Sequence, residues 1–573
     1  MNVNDILRFK TKKPGKHGDD ETADKELGSP AKSRKIANGE KEPIPSSPGD
    51  LPADFFDAET QEIMKKIESA PSAEPFDDTA LRKMLNAFER KALKNQEHRV
   101  KYSDDPAKFM DSEIELNDAV QELHIIATQP DLYSVVLQMN TMQTLTQLLS
   151  HENTDISIAV VDLLQELTDV DTLTESVEDA TKLVDAILQQ QVVASLLQNM
   201  ERLDESVKEE ADGVHNTLSV MENILEFKPE SSESLARMGL LRWLLKRIKM
   251  KAFDVNKLYA SEILSILLQI KENRKMLGEK LVGERTDTDG IDILLHQLAV
   301  FKRHDPGTGE EYEMMENLFD CLCSALMYPP NRKLFLDGEG LQLMNLMLRE
   351  KKQSRNSAIK VLDYALSSDE GVDLCDKFIE ILGLRTIFPL FMKPPKQHKK
   401  RGPTRDETEE YLCAIMASLA RNSRGDKRER FMGKFLENDL EKVERLMELH
   451  FQYSDKVAQE EANIAREKRA LRETGAEVDD DTEVEFDLRR LENGLFTLQR
   501  IDIGIVEVYD DAAAEVRKRI DRIISMRNSS RSTVTNVVKE YVKEIADDKN
   551  DSSKQRDLKR LTLLVQRFMD SPS

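Results

Sequence analysis

Apolar residues recur every three or four positions over most of the chain, from about residue 76 to about residue 450. In the stretch HENTDISIAVVDLLQELTD (residues 151–169), the apolar side of the pattern is formed by Ile156, Val160, Leu164 and Leu167. This is the spacing of an amphipathic α-helix that packs one face on a core. No strand-like alternation competes with it, so the sequence predicts an all-α protein.

The helical pattern repeats at intervals of roughly 43 to 51 residues, at or slightly above the length of armadillo and HEAT repeats. Each repeat opens with a short apolar helix, starting near Met142, Val192, Gly239, Gly290, Gly340 and Gly383. A longer amphipathic helix follows, around residues 155–168, 204–226, 256–270, 312–327, 354–366 and 407–421. The pattern predicts an armadillo/HEAT-type α-solenoid, in which the four glycine starts let the chain turn tightly between helices.

Composition divides the chain into three predicted parts. Residues 1–75 are rich in Pro, Gly, Ser, Lys and Glu and poor in large apolar residues, which predicts a disordered N-terminal tail. Residues 76–452 hold the armadillo-like repeats. Residues 453–573 are predicted to form a C-terminal helical bundle, with one helix over 488–509 and three more up to residue 570. This bundle would cap the solenoid, because a terminal repeat needs a partner or a polar outer face.

The tail carries two basic clusters that resemble a two-part nuclear localisation signal, although such clusters also arise by chance in disordered tails. They consist of Lys10, Lys12, Lys13 and Lys16, then Lys32, Arg34 and Lys35. Ser29 and Ser47 precede prolines and are weak candidates for phosphorylation. There is no apolar secretory signal, and no stretch approaches the roughly 20 apolar residues that cross a bilayer. We therefore expect a nuclear protein with no membrane partner.

The net charge of −24 argues against general binding to a nucleic-acid backbone, which needs clustered Lys and Arg. It favours basic protein partners, or else an acidic surface that is only solvated. The four cysteines form no C-x-x-C pair, so no zinc site is expected. No hydrolase, P-loop, metalloprotease or kinase motif is present, and the nine histidines are scattered. We expect no catalytic residues, no metal and no cofactor, and therefore not an enzyme.

Acidic and amide residues recur on the first two long helices, away from the apolar stripe that includes Val207 and Ala211. In solenoids of this type the last helix of each repeat lines the inner surface. Carboxylates and amides there suit Lys and Arg side chains or peptide backbone, although a solvated helix face is the alternative. The candidate partner-binding residues are Asp155, Asp162, Glu166, Asp169, Glu205, Glu209, Asp212, Asn216 and Asn223.

A second candidate contact is the basic stretch KPPKQHKKRGPTR, residues 393–405. Its prolines forbid a continuous helix, so it should be an exposed loop. Such loops often carry contacts, and a tolerated insertion is the equal alternative.

Three stretches of the chain carry a family resemblance: KFMDSEIELNDAVQELHIIATQPDLY (108–133), NTDISIAVVDLLQELTD (153–169) and RLDESVKEEADGVHNTL (202–218). They closely resemble the beta-catenin-like protein family, and the likeness extends from about residue 76 to the C-terminal helices. The resemblance implies a nuclear armadillo-type protein associated with the spliceosome through the Prp-nineteen complex. It also implies binding to basic, nuclear-localisation-like segments of splicing factors, so these are the expected partners, while a homodimer is left open.

An alternative function is a nuclear transport adapter for basic cargo. Importin-alpha-type adapters hold such cargo with a ladder of Trp and Asn on successive third helices. This chain has one tryptophan, Trp243, in a first-helix pattern. Asn223 fits a ladder position, but the preceding repeat has Glu166 there. Without indole surfaces, binding of a basic peptide should be modest and salt-sensitive.

Overall fold

The computed structural model describes residues 76–189, 191–280, 288–397, 402–473, 479–546 and 552–571. Nearly all of the described residues belong to one compact unit, which begins at Leu81. The predicted disordered tail, its two basic clusters, Ser29 and Ser47 all lie outside the described residues.

The described residues form α-helices and short 3-10 turns, and no β-strand occurs among them. The chain begins with α1 (Asp78–Lys101), α2 (Met110–Glu122), α3 (Tyr133–Gln138), α4 (Thr141–Leu148), α5 (Thr154–Leu167), α6 (Val170–Glu175), α7 (Val177–Gln189), α8 (Val192–Arg202) and α9 (Lys208–Phe227). It continues with α10 (Ser232–Arg237), α11 (Leu240–Lys249), α12 (Val255–Leu267), α13 (Lys271–Leu277), α14 (Gly290–Leu298), α15 (Gly309–Leu326), α16 (Pro329–Asp337), α17 (Gly340–Glu350), α18 (Arg355–Leu366), α19 (Val372–Glu380), α20 (Leu384–Met392) and α21 (Arg405–Asn422). The last helices are α22 (Gly425–Gly433), α23 (Glu441–Glu473), α24 (Asp480–Arg490), α25 (Phe496–Asp511), α26 (Ala514–Met526), α27 (Arg531–Ala546) and α28 (Ser552–Asp570).

The repeat pattern predicted from the sequence is confirmed. The short helices α4, α8, α11, α14, α17 and α20 begin at or next to the predicted starts. The long helices α5, α9, α12, α15, α18 and α21 each pack on the next one, and we call these six the stacked helices. The described residues through α21 therefore form an armadillo/HEAT-type α-solenoid, in which each repeat buries its apolar stripe against its neighbours.

The glycines at the repeat starts do not all serve the turn that we expected. Of the four, only Gly239 adopts a positive φ, of +120°. At Gly340 a Cβ atom would overlap the ring of Phe335, and at Gly383 it would lie 2.5 Å from the ring of Phe378. These two glycines are needed because a phenylalanine packs directly on the backbone, and the expected turn role is wrong there.

Buried Asn–Arg pairs cap the C-terminal ends of two of the stacked helices. Asn273 and Arg274 each donate, at 2.9 and 2.7 Å, to the carbonyl six residues earlier, at the end of α12. Asn331 and Arg332 repeat this at the end of α15, at 3.0 and 2.8 Å. Carbonyls at a helix C-terminus have no partner within the helix. Asn331 also donates to the carbonyl of Arg274 at 2.8 Å, so the two pairs are linked from one repeat to the next.

The C-terminal helices pack against the last repeat. Helix α23 is continuous through residue 452, and α25 is buried between α21, α23, α27 and α28. The single helix predicted over 488–509 is wrong, because the chain turns between α24 and α25 at Gly494, whose φ is +110°. A Cβ atom at Gly494 would lie 2.7 Å from the ring of Tyr453 on α23. The helix is therefore broken where the backbone of this turn packs against the Tyr453 ring of α23.

Two further findings concern the residues that the structure describes. None of their helices combines the length and the apolar character needed to cross a membrane. None of their His, Cys, Asp and Glu side chains form a group of three or more suited to a metal ion, and the four cysteines are buried and unpaired.

Candidate partner-binding surface

The nine candidate residues lie on or beside the first two stacked helices. Helix α5 carries Asp155, Asp162 and Glu166, and α9 carries Glu209, Asp212, Asn216 and Asn223. The side chain of Asn153 accepts a hydrogen bond from the Asp155 amide and so caps the start of α5. Val207 is the residue before the first turn of α9 and is 42% exposed, so its predicted place in the buried stripe is wrong.

Asp162 and Asn216 join the polar faces of α5 and α9. Asn216 Nδ2 donates to Asp162 Oδ1 at 2.8 Å, and both side chains are half-buried. Burial raises the pKa of Asp162, while the hydrogen bond from Asn216 lowers it. The charges of Glu166 and Asp212 raise the same pKa further, so acids of both helices lie near one another. The two acidic faces predicted from the sequence therefore meet on one surface.

Two further candidates are engaged within the fold. Glu205 lies before α9, not on its polar face, and accepts from Arg247 at 2.8 and 2.9 Å. Its expected position on the helix is wrong because the helix begins only at Lys208. Asp169 follows α5 and caps α6 by accepting from two backbone amides. Both carboxylates already have protein donors, which leaves them less available to a partner.

Other candidates remain accessible. Asp155, Glu209 and Asp212 are exposed, and their side chains have no hydrogen-bond or ion-pair partner among the described residues. Glu166 is 49% exposed and its carboxylate lies 2.7 Å from His124 Nδ1. Asn223 Nδ2 is buried, with no hydrogen-bond partner in the described part of the chain. The free carboxylates are thus concentrated in the first turn of α5 and the first two turns of α9.

The acidic surface extends beyond the two helices that the sequence pattern singled out. Glu262 of α12 lies near Glu222 of α9 and Glu313 of α15. Burial raises the pKa of Glu262 to about 7, and the charges of Glu313 and Glu222 contribute to that rise. Glu222 also accepts from the hydroxyl of Tyr259 at 2.5 Å. The polar spacing used for α5 and α9, away from the apolar stripe of each helix, would have identified these residues from the sequence if it had been applied to α12 and α15.

The negative charge of the surface decreases between α15 and α18. Burial raises the pKa of Glu316 to about 7, a hydrogen bond from Ser357 opposes the rise, and the Asp320 charge adds to it. Asp320 itself pairs with Lys360 of α18 at 2.6 Å. We define the acidic surface as Asp162, Glu209, Asp212, Glu222, Glu262, Glu313 and Glu316. Lys360 of α18 neutralises part of the negative charge of this surface. The excess of negative charge therefore lies between α5 and α15.

The basic loop 393–405 approaches this surface, although its residues 398–401 lie outside the described part of the chain. Gly402 has a φ of +68°, and a Cβ atom there would lie 2.5 Å from the Tyr312 hydroxyl and 3.6 Å from Glu316 Oε2. Thr404 then caps α21 in a reciprocal arrangement with Glu407. The described end of the loop therefore passes over α15, and its role as a partner contact stays a prediction.

The stacked helices and their polar surface define an armadillo-type helical repeat protein. The chain belongs to the family described as "Catenin-beta-like, Arm-motif containing nuclear", whose sequence profile matches residues 58–539. The resemblance to the beta-catenin-like family seen in the sequence is therefore confirmed.

Relatives from two different organisms align with most of the length of this chain. Beta-catenin-like protein 1 of Homo sapiens is 55% identical over 496 residues, 86% of this chain and 87% of the human protein. The beta-catenin-like protein 1 homolog of Schizosaccharomyces pombe is 36% identical over 378 residues, 65% of this chain and 64% of that protein. A solved chain from work on the interaction between cadherin and beta-catenin superposes with a TM-score of 0.44 and 9% identity, covering 88% of this chain and 94% of that chain.

Proposed function

We propose that this chain is a non-enzymatic nuclear scaffold of the pre-mRNA splicing machinery, associated with the Prp-nineteen complex. It binds basic, nuclear-localisation-like segments of splicing factors along the acidic surface. One observation carries the proposal: carboxylates on successive stacked helices lie close enough to disfavour one another's ionisation, as at Glu262. The description of the family as nuclear supports the location.

A cationic segment fits this surface for two physical reasons. Each Lys or Arg side chain offers charge-assisted hydrogen bonds to carboxylates. Each also relieves the repulsion between like charges on neighbouring helices, such as those of Glu313 and Glu222, which add to the effect of burial in raising the pKa of Glu262. The chain has a single tryptophan, Trp243, which is 8% exposed on the short helix α11. Binding therefore rests on charge and hydrogen bonding and lacks indole stacking, which disfavours the transport-adapter alternative.

The test is a titration of the full chain with a fluorescent peptide that carries two Lys/Arg clusters. The variant combines Glu209→Gln with Asp212→Asn, two exposed carboxylates one helical turn apart on α9. We expect its Kd to weaken about three- to tenfold, as for loss of two accessible charges, with no change in melting temperature. Unchanged binding by this variant would reject the surface assignment.

A matched control is available on α22. Asp426 and Glu429 are also exposed and one turn apart near a helix start, but α22 is not one of the stacked helices. Asp426→Asn with Glu429→Gln removes the same total charge and should leave the peptide Kd within twofold of the wild type, or about 0.4 kcal/mol. An equal loss in both double variants would mean that only net charge attracts the peptide.

The assembly is tested separately by co-purification from nuclear extract. The tagged full chain should recover proteins of the splicing machinery, and the Glu209→Gln/Asp212→Asn variant should recover fewer of those with basic tails. If the wild-type chain recovers no splicing proteins, the proposed scaffold role is wrong even when the peptide binds.

A further inference from the structure

Basic residues recur in the connections between the short helix and the stacked helix of three successive repeats. The connections α11–α12, α14–α15 and α17–α18 comprise residues 250–254, 299–308 and 351–354. Their basic residues are Lys251, Lys302, Arg303, Lys351 and Lys352. The charged helix residues that flank them, Lys249, Glu310 and Glu350, leave an excess of positive charge in place. The connections are thus basic in a chain whose net charge is −24.

The two acids within these connections already have partners in the fold. Asp254 pairs with the buried guanidinium of Arg247. Asp305 accepts from the backbone amide of Gln353 at 2.8 Å and lies 3.5 Å from the ammonium of Lys352. Four cations of the connections have no side-chain hydrogen bond or ion pair among the described residues, and we call them the basic edge: Lys251, Lys302, Arg303 and Lys351.

Hydrogen bonds hold the three connections side by side. The buried ammonium of Lys257 donates to the carbonyl of Met250 at 2.5 Å and to Gln297 Oε1 at 2.9 Å, which ties the first connection to the end of α14. The Ser354 hydroxyl donates to the Phe301 carbonyl at 3.0 Å and ties the third connection to the second. The basic edge is therefore one surface that crosses three repeats.

Exposed aliphatic side chains lie among these cations. Met250 is 53% exposed and precedes Lys251, and Val300 is 55% exposed and lies two residues before Lys302. Val255, the first residue of α12, is 53% exposed. Protein interfaces bury apolar side chains of this kind within a rim of polar and charged groups. The basic edge therefore offers apolar contacts together with positive charge.

The next connection along the chain is the basic loop 393–405 between α20 and α21. Helix α20 packs on α17, so this loop follows the third connection in the order of the repeats. The side chains of Lys393 and Lys396 are exposed and have no partner in the described part of the chain. The loop that the sequence pattern singled out as a possible contact thus continues the series of basic connections.

We propose that the basic edge binds an acidic segment of a partner protein, in which apolar residues alternate with Asp and Glu. Carboxylates of the segment accept charge-assisted hydrogen bonds from Lys251, Arg303 and Lys351. Its apolar side chains cover Met250 and Val300 and remove their exposed area from water. Nucleic acid fits less well, because the most exposed apolar side chains of the edge are aliphatic, whereas bases stack on aromatic rings. This partner is opposite in charge to the one that the acidic surface takes, so the inference does not rest on the proposed function.

The first experiment titrates the full chain with a short fluorescent peptide that repeats the triplet Asp-Asp-Leu. The variant combines Lys251→Glu, Arg303→Glu and Lys351→Glu. We expect its Kd to weaken more than about tenfold, because each attraction becomes a repulsion between like charges. The melting temperature should stay the same, because these side chains have no partner in the described part of the fold. Unchanged binding would overturn the inference.

A matched control reverses three other exposed cations of the same repeats. Arg242 lies in the first turn of α11, Lys275 on α13 and Lys333 on α16, and their side chains also lack partners among the described residues. The Arg242→Glu/Lys275→Glu/Lys333→Glu variant changes the net charge by the same amount and should keep Kd within about threefold of the wild type. An equal loss in both triple variants would mean that net charge alone attracts the peptide, and the assignment to the basic edge would be wrong.

A second pair of variants tests the apolar contacts. Replacing Leu by Ser throughout the peptide should weaken its binding to the wild type about tenfold. Met250→Ser with Val300→Ser should weaken the Leu peptide and leave the Ser peptide unchanged. Met238→Ser with Val177→Ser removes one exposed Met and one exposed Val elsewhere and should change neither. If the Leu and Ser peptides bind equally well, the edge attracts charge alone and the proposed apolar contacts are refuted.

A single-stranded oligouridylate of the same charge as the peptide tests the class of partner. It should bind the wild-type chain more weakly than the Asp-Asp-Leu peptide does, which would support a protein segment as the occupant. If it binds more tightly and the Lys251→Glu/Arg303→Glu/Lys351→Glu variant loses that binding, the basic edge is a nucleic-acid contact and the proposed occupant is wrong.

Discussion

Arg247 and Glu205 form a bidentate ion pair, with Nε 2.8 Å from Oε1 and Nη2 2.9 Å from Oε2. Arg247 is 5% exposed, and it also pairs with Asp254 at 2.5 Å. Asn256 donates to the same Glu205 carboxylate at 2.9 Å. Glu205 therefore links the turn before α9 to α11 and to the start of α12. A carboxylate that the sequence pattern assigned to partner binding holds neighbouring repeats together.

Glu205→Gln should lower stability and leave peptide binding nearly unchanged. The substitution leaves the Arg247 guanidinium buried with Asp254 as its remaining carboxylate partner. Because Glu205 is partly exposed and Asp254 remains, we expect a loss of about 2 kcal/mol, less than for a fully buried pair. Urea denaturation followed by circular dichroism measures the loss, and Glu209→Gln is the control, because the structure gives that side chain no partner. If the Glu205→Gln variant is as stable as the wild type but binds the peptide more weakly, Glu205 is a peptide contact and its structural role is refuted.

Gly340→Ala should destabilise the solenoid sharply. The new Cβ atom would overlap the Phe335 ring, which is itself buried, so either the ring or α17 must shift. Overpacking of this kind costs about 1–3 kcal/mol. Gly433→Ala is the matched control, since nothing lies within 4 Å of a Cβ atom there and φ is not positive. That variant should be neutral or more stable by about 0.5 kcal/mol. The denaturation midpoints of the two variants test these two expectations. Equal midpoints would contradict the predicted overlap at Gly340.

Glu262 should make the chain more stable as the pH falls from 8 to 5. Its folded-state pKa is raised to about 7 from an ordinary value of 4.5. Because the pKa is higher in the folded state, the folded chain binds the Glu262 proton more tightly than the unfolded chain does. The stabilisation from protonated Glu262 is therefore complete below the unfolded-state pKa and is lost as the pH rises through about 7. Glu262→Gln removes this dependence and should raise the melting temperature at pH 8 by about 2 °C. Melting curves of both proteins at pH 5, 6, 7 and 8 would show it, and parallel curves would refute it.

Binding of a basic peptide should weaken steeply as salt is added. Exposed charges are screened over a Debye length of about 8 Å at physiological ionic strength, so contacts at Glu209 and Asp212 lose most of their value. We expect a logarithmic plot of Kd against salt concentration to have a smaller slope for the Glu209→Gln/Asp212→Asn variant. The Asp426→Asn/Glu429→Gln control should keep the wild-type slope. A salt-independent Kd would point to apolar contacts and away from the acidic surface.

The sequence located the repeats well because each helix carries its own periodic apolar stripe, which the structure buries as expected. The predicted starts at Val192, Gly290 and Gly340 coincide with α8, α14 and α17. It failed at Gly494, where two segments distant in sequence meet, because the break in the helix depends on Tyr453 of α23. That contact has no local signature along the chain. The role of Gly383 was misjudged for another reason: its φ is not positive, and the ring of Phe378, five residues earlier, packs on its backbone.

The amino-acid pattern alone determined the all-α class, the repeat starts and an acidic face on the stacked helices, because helical period and charge are properties of single segments. Only the tertiary structure decided which carboxylates are free. Helices far apart in sequence meet in the folded chain, so that Glu205 is held by Arg247, while Glu262 faces Glu222 and Glu313. A carboxylate's availability depends on the donors and charges that packing brings beside it, and these come from other repeats.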